Sequence, residues 1–264
     1  MGASGHRHRI VAASLLAASR THSAKAASRL APTTNASAMD NVDVCAQMRP
    51  TPMNFRNWFC GLALILLPVL GVFAATQTEK VRNEKVLVVE QTLAPGETAS
   101  LPGDRASVAV YLDAGSIEVT PAQGKPRTEA LKRGDAVFQP AHAGTVKNAG
   151  SSALPIVRTE YLGKGSSETW GTAGLAPSYK LLFENQYGRV YEIRIAAGTS
   201  EPQHTHHDRV VICLSGAELE HLLPDGRRET SSLKTGEIAW RRGATHVGHN
   251  LGKTDLWVIA IEPK

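Results

Sequence analysis

The chain contains its own sequence twice, and that constrains its fold more than any other property. A shift of 102 residues lays residues 83–162 on residues 185–264 without a gap, with 17 identities in 80 positions. The matched pairs include Asn83/Asn185, Glu90/Glu192, Leu112/Leu214, Asn148/Asn250 and Glu160/Glu262, and four of them are glycines: Gly96/Gly198, Gly124/Gly226, Gly134/Gly236 and Gly150/Gly252. Glycine is retained where a backbone must turn or take positive φ, so matched glycines mean matched turns. The two copies therefore share one fold.

Each copy reads as β-structure throughout. Short alternating or β-branched runs such as KVLVVEQTL, SVAVYL, RVYEIRI, RVVICL and LWVIAIE are separated by turn signals such as PDG and KTG, and no segment carries a helical apolar stripe. About 80 residues of short strands per copy fit a small closed barrel or sandwich, in which closure removes the exposed sheet edges. The expected organisation is a barrel over 80–162, a linker over 163–182 containing GKGSS and GTAG, and a second barrel over 183–264.

The net charge of +5 is a property of the leading residues, not of the repeats. Residues 1–75 hold seven Lys or Arg against Asp40 and Asp43, which leaves 22 basic and 22 acidic side chains for the other 189 residues. A neutral body without a basic cluster lacks the electrostatic term that dominates nucleic-acid affinity, so no nucleic-acid partner is expected.

Trp58–Ala75 is an uncharged, mostly apolar stretch with Arg56 before it and Thr76 after it. Basic flank, apolar segment and small residues at the end are the layout of a secretory signal, here 53–75, with cleavage expected after Ala74. The competing reading is an uncleaved membrane anchor, which Pro68 and a barely spanning length disfavour. Residues 1–52 are rich in Ser, Ala and Arg without hydrophobic periodicity, so they read as a disordered leader, or as an upstream extension if translation starts at Met53. The expected product is exported, periplasmic or secreted, and free of the membrane after cleavage. Cys45 and Cys60 precede the cut and Cys213 is left alone, which forbids an internal disulfide.

Six of the seven histidines after the signal lie between 204 and 249. Side chains two apart on a strand face one side about 6.6 Å apart, so His204, His206 and Asp208 are expected on one face. Val210, Ile212 and Leu214 continue that face as apolar filling of a barrel, with Cys213 out of phase and packed between barrels. His246 is expected to reach the same end from another strand. Three imidazoles, or two and a carboxylate, with positions left open suit one divalent transition metal: Fe or Mn if Asp208 ligates, Cu or Zn if it does not, with Ni also open. His207 alternates outward, Asn250 is expected to tie a turn, and Trp240 shares a face with Ile238 as core or pocket wall.

At these residues the sequence resembles the cupin superfamily. Gly198-TSEPQ-His204-Thr-His206 and Gly236-EIAWRRGAT-His246-VGH-Asn250 resemble its two motifs, G-x5-H-x-H-x3,4-E-x6-G and G-x5-P-x-G-x2-H-x3-N. The resemblance implies a bicupin, an all-β protein of two tandem jelly-roll barrels, with His204, His206 and His246 as metal ligands. Two departures stand out. The motif's Glu is missing, with Asp208 and Arg209 near its place, and Arg241 stands for its Pro. The repeat turns His204, His206 and His246 into Pro102, Asp104 and Gly144, so the first barrel is expected to be a metal-free structural partner, with His142 incidental.

Three functional readings follow: a metal-dependent oxygenase acting on a small organic molecule, a non-catalytic cell-envelope protein that binds a small molecule or metal, and a metal-free isomerase with a histidine base. A homodimer is the expected assembly if the barrels pair as cupins do.

Overall fold

The computed structural model describes residues 77–141 and 144–264, so the leader, the signal segment and His142 lie outside the described residues. Every regular element among those residues is a β-strand. The first copy comprises β1 (Gln77–Arg82), β2 (Val86–Leu93), β3 (Thr98–Ser100), β4 (Ser107–Tyr111), β5 (Gly115–Thr120), β6 (Arg127–Leu131), β7 (Ala136–Gln139), β8 (Thr145–Asn148) and β9 (Leu154–Tyr161). The second comprises β10 (Tyr179–Glu184), β11 (Gly188–Ile195), β12 (His204–His206), β13 (Arg209–Ser215), β14 (Ala217–Leu222), β15 (Arg228–Leu233), β16 (Ile238–Arg241), β17 (Ala244–Asn250) and β18 (Leu256–Pro263).

Both copies fold as two facing antiparallel sheets, with orders β1-β2-β9-β4-β7 and β3-β8-β5-β6 in the first and β10-β11-β18-β13-β16 and β12-β17-β14-β15 in the second. The shared order is the jelly-roll expected from the repeat. Matched glycines mark matched turns: φ is +78° at Gly96 and +71° at Gly198, and +85° at Gly134 and +84° at Gly236. Asn148 and Asn250 do the same work in each barrel. The Asn148 amide donates to the Leu93 and Ser152 carbonyls, and the Asn250 amide to those of Ile195 and Thr254.

Three apolar clusters hold the described residues together. One fills the first barrel around Leu93, Ala109, Tyr111, Ile117 and Ile156, and a second fills the other around Tyr191, Ile193, Val211, Cys213, Leu219 and Val258. The third joins the barrels, because Val86, Val88, Val108 and Val110 pack with Val190, Val210, Ile212, Leu214, Ile259 and Ile261. The two five-stranded sheets thus lie face to face, and each buries both its surfaces. Burial on both surfaces explains why β2, β4, β13 and β18 are apolar without clean alternation.

This arrangement corrects two expectations. Val210, Ile212 and Leu214 face the neighbouring barrel, whereas Cys213 lies inside its own. The phase fails because β12 and β13 belong to different sheets, with His207 and Asp208 in an irregular step between them, and period-two alternation does not survive such a break. Trp240 and Ile238 pack against the cluster at the junction between barrels, in line with their expected place in the core. The segment read as a linker is a packed strap. Its last residues, Tyr179–Leu182, open β10, its Gly174 carbonyl accepts from Thr205 N at 2.7 Å, and Trp170 stacks on His207.

Candidate metal centre

β12 is only three residues long, but its position is fixed on all sides. One edge pairs with β17, placing His204 directly opposite His246, and the other is covered by the Gly174 carbonyl. At its end His207 N donates to Glu262 Oε1 at 3.0 Å. The Glu262 carboxylate also accepts from the Tyr191 hydroxyl at 2.8 Å and from Arg189 Nε at 2.7 Å, so the step after β12 is anchored to a fully buried ion pair.

His204 and His206 share a face by alternation, and the cross-strand register adds His246. All three side chains are buried, and their ring centroids are 4.7, 5.0 and 5.9 Å apart. Their candidate ligand atoms lie within 4.8 Å of one another. Bonds of about 2.0–2.1 Å to a single ion need a tighter group, so the rings would have to turn toward one another to share an ion. His204 is already oriented: Nδ1 lies 2.9 Å from the Pro202 carbonyl, which fixes the hydrogen there and turns the Nε2 lone pair inward, toward the Tyr179 hydroxyl at 2.9 Å. His206 Nε2 is buried without any partner. A nitrogen left in that state fits an absent ligand.

Electrostatics keep the cluster neutral. Burial, then Arg209, then the neighbouring imidazoles hold His206 at about 2. Burial, His221, His204 and Arg209 hold His246 at about 3. His204 is lowered as well, chiefly by burial. Neutral imidazole is the form that ligates metal.

Asp208 does not join them. Its Oδ1 accepts from Gly243 N at 2.7 Å and its Oδ2 lies 3.3 Å from Arg242 Nη1, so the carboxylate bridges the step after β12 to the turn before β17. The strand break that inverted the phase of β13 carries Asp208 out of line with His206.

Four residues at the centre escaped the sequence reading as members of it. Arg209 Nη1 donates to His206 Nδ1. His221, on β14, stacks on His246 with centroids 4.3 Å apart. Tyr179 reaches His204 from β10. Glu201 is buried, accepts from the Ser178 hydroxyl, and has its Oε2 3.9 Å from His204 Nε2. Burial raises the Glu201 carboxyl above its usual range. Gly248 makes room for it, since a Cβ there would sit 2.9 Å from Glu201 Oε2. The signal that could have found them is the repeat itself, because the counterparts of Tyr179, Glu201, Arg209 and His221 are Gln77, Ala99, Ser107 and Val119.

No family model matches the sequence, and no curated protein does. Solved structures do match. AerE from Microcystis aeruginosa aligns over 73% of this chain and 99% of its own with 14% identity and a TM-score of 0.51. A cupin 2 conserved barrel domain protein from Leptotrichia buccalis aligns over 72% and 89% at 14% identity with a TM-score of 0.49. A deletion mutant of Bacillus subtilis oxalate decarboxylase OxdC aligns over 71% and 72% at 15% identity with a TM-score of 0.49. Similarity at this level speaks to the path of the backbone.

Proposed function

We propose that this chain, two jelly-roll barrels in tandem with a single histidine centre, is a metal-binding cupin whose second barrel acts on a small organic molecule. The observation that carries the reading is the group of three buried imidazoles whose candidate ligand atoms lie within 4.8 Å of one another. His204, His206 and His246 would hold the ion. A divalent transition metal bound there supplies a Lewis-acidic, and for some metals redox-active, position open to a further ligand. Oxygenase chemistry is the finer form of this proposal, and export through the 53–75 signal its setting.

The surrounding residues have definable work. The Pro202 carbonyl orients His204. Tyr179, whose hydroxyl is kept protonated by burial, presents a hydrogen-bond donor to the inner face. Glu201, held up by burial, is placed beside His204 to take or return a proton. The strap containing Trp170 and Gly174 packs on the outer side of β12, with the Gly174 carbonyl on Thr205 N and Trp170 on His207.

Metal analysis of the purified protein tests the reading. About one transition-metal ion per chain is expected, falling to near zero in His206→Ala. Protein that takes up no ion from Mn, Fe, Co, Ni, Cu or Zn, or whose metal content is unchanged in His206→Ala, overturns it. If the ion binds, oxygen uptake with candidate substrates decides between oxygenase chemistry and a binding role.

A further inference from the structure

The first barrel buries polar side chains that its fold does not require. In the second barrel the counterparts of Gln91, Tyr111 and Arg158 are Ile193, Cys213 and Ala260, and the same jelly-roll forms around them. Gln91, Tyr111, Gln139 and Arg158 line a cavity of about 10 Å³ between the two sheets of the first barrel, and the rest of its wall is apolar. All four are buried, with exposures of 4, 0, 7 and 4%. Arg158 Nη1 and the Tyr111 hydroxyl have no hydrogen-bond partner. Polar groups buried in that way are costly unless a ligand satisfies them.

The cavity wall is rich in donors. Gln91 Oε1 accepts from Gln77 Nε2 at 3.0 Å and Gln139 Oε1 from Ser107 Oγ at 3.1 Å, so each glutamine has its acceptor engaged and its amide nitrogen left to donate. A guanidinium only donates. Burial raises the Tyr111 pKa, and the hydroxyl keeps its hydrogen. Charge adds to this. Arg158 Nε lies 3.2 Å from Glu160, which is shared with Arg105 at 3.4 Å, and the other acid near Arg105 is the mostly exposed Asp104. One buried carboxylate thus serves two guanidiniums, and no acid lines the cavity itself. A water there would need acceptors for its own hydrogens. An anion accepts from every side and offsets the guanidinium.

We propose that the first barrel binds a halide-sized inorganic anion, held by the Arg158 guanidinium and the Tyr111 hydroxyl with the Gln91 and Gln139 amides around it. A cavity with room for one water admits a halide, which is only slightly larger, and excludes carboxylates, phosphate and sulfate. The site shares no residue with the histidine centre and stands whichever way the metal reading falls.

Bromide tests the proposal in two ways: by its anomalous scattering in crystals of the full chain, and by competition with chloride in the chlorine resonance line width in solution. Both use EDTA-treated protein, so that no metal ion captures the halide. The expected results are an anomalous peak in contact with Arg158 and Tyr111, and saturable line broadening at about millimolar halide. Arg158→Gln weakens bromide by about tenfold or more. Tyr111→Phe, which removes one unpartnered hydroxyl and keeps the ring, weakens it by about threefold or more. Ordered water without anomalous signal in the cavity overturns the proposal, as does a bromide peak there with no saturable binding in solution. Affinity within about twofold of the parent in both variants does the same. If Arg158→Gln does not fold, as circular dichroism shows, Tyr111→Phe alone decides by the same twofold limit.

Discussion

The two barrels have nine strands each, but one short strand falls at a different place in each, and the histidine centre depends on that placement. In the first barrel the chain leaves β3 at Ser100 and runs irregularly to β4 at Ser107, while β8 begins at Thr145. In the second, Ser200 makes the single bridge that corresponds to β3, the chain then forms β12, and β17 starts at Ala244 to pair with it. His204, His206 and His246 all lie on this displaced ladder. The barrels also differ in the polar groups they bury. Gln91, Gln139, Arg158 and Tyr111 of the first barrel line a cavity of about 10 Å³, room for one water. Their counterparts are Ile193, Arg241, Ala260 and Cys213. One scaffold thus supports a polar plug on its five-stranded sheet in one copy and an imidazole cluster on its four-stranded sheet in the other. Closing the jelly-roll needs neither.

The comparison is sharpest at the matched pair Glu160 and Glu262. Glu262 accepts from Arg189, Tyr191 and the His207 backbone, with both ion-pair side chains almost fully buried. Glu160 is shared more loosely between Arg158 at 3.2 Å and the half-exposed Arg105 at 3.4 Å. Glu262→Ala should therefore cost about 3–5 kcal/mol, and Glu160→Ala about 1–3, in urea unfolding. Equal losses would show that the anchoring of β12 adds nothing to what the first barrel already has.

A second test uses pH. In the metal-free protein His204, His206, His221 and His246 are all held below the usual histidine value, chiefly by burial. Unfolded chains bind protons at these imidazoles near pH 6.5 and the folded chain does not, so stability is complete above 6.5 and declines as pH falls toward 3. The urea midpoint should drop between pH 7.5 and pH 5, and the drop should be shallower in a His206→Ala, His246→Ala double variant. A pH-independent midpoint would contradict the neutral, buried cluster.

The smallest effect is expected at Asp208, which belongs to the turn and not to the centre. Asp208→Ala should lower stability by about 1 kcal/mol and leave metal content at the parent level. Loss of the metal would return Asp208 to the ligand set.

Much of this was legible in the residues. A gapless repeat with glycines in register fixes two like folds, since a turn that needs positive φ at Gly96 needs it again at Gly198. The spacing of His204 and His206 fixes a shared face, and comparison with Pro102 and Asp104 identifies the barrel that carries the cluster. Other features were hidden for a physical reason. Alternation reads a face only within an unbroken strand, so the irregular step at His207 and Asp208 reversed the assignments of Val210, Ile212, Leu214 and Cys213 and promoted Asp208 to a ligand.

The sequence by itself determined that the chain is all-β, that it is built from two copies of one barrel, and that three histidines of the second copy stand apart. Only the tertiary structure decided what surrounds them. Arg209, Glu201, Tyr179 and His221 come from four separate strands or loops, and their contacts with the cluster depend on sheet pairing across tens of residues, which local pattern does not encode. It also decided that both barrels press their five-stranded sheets together. That contact buries a second apolar face, which in sequence is indistinguishable from a barrel interior.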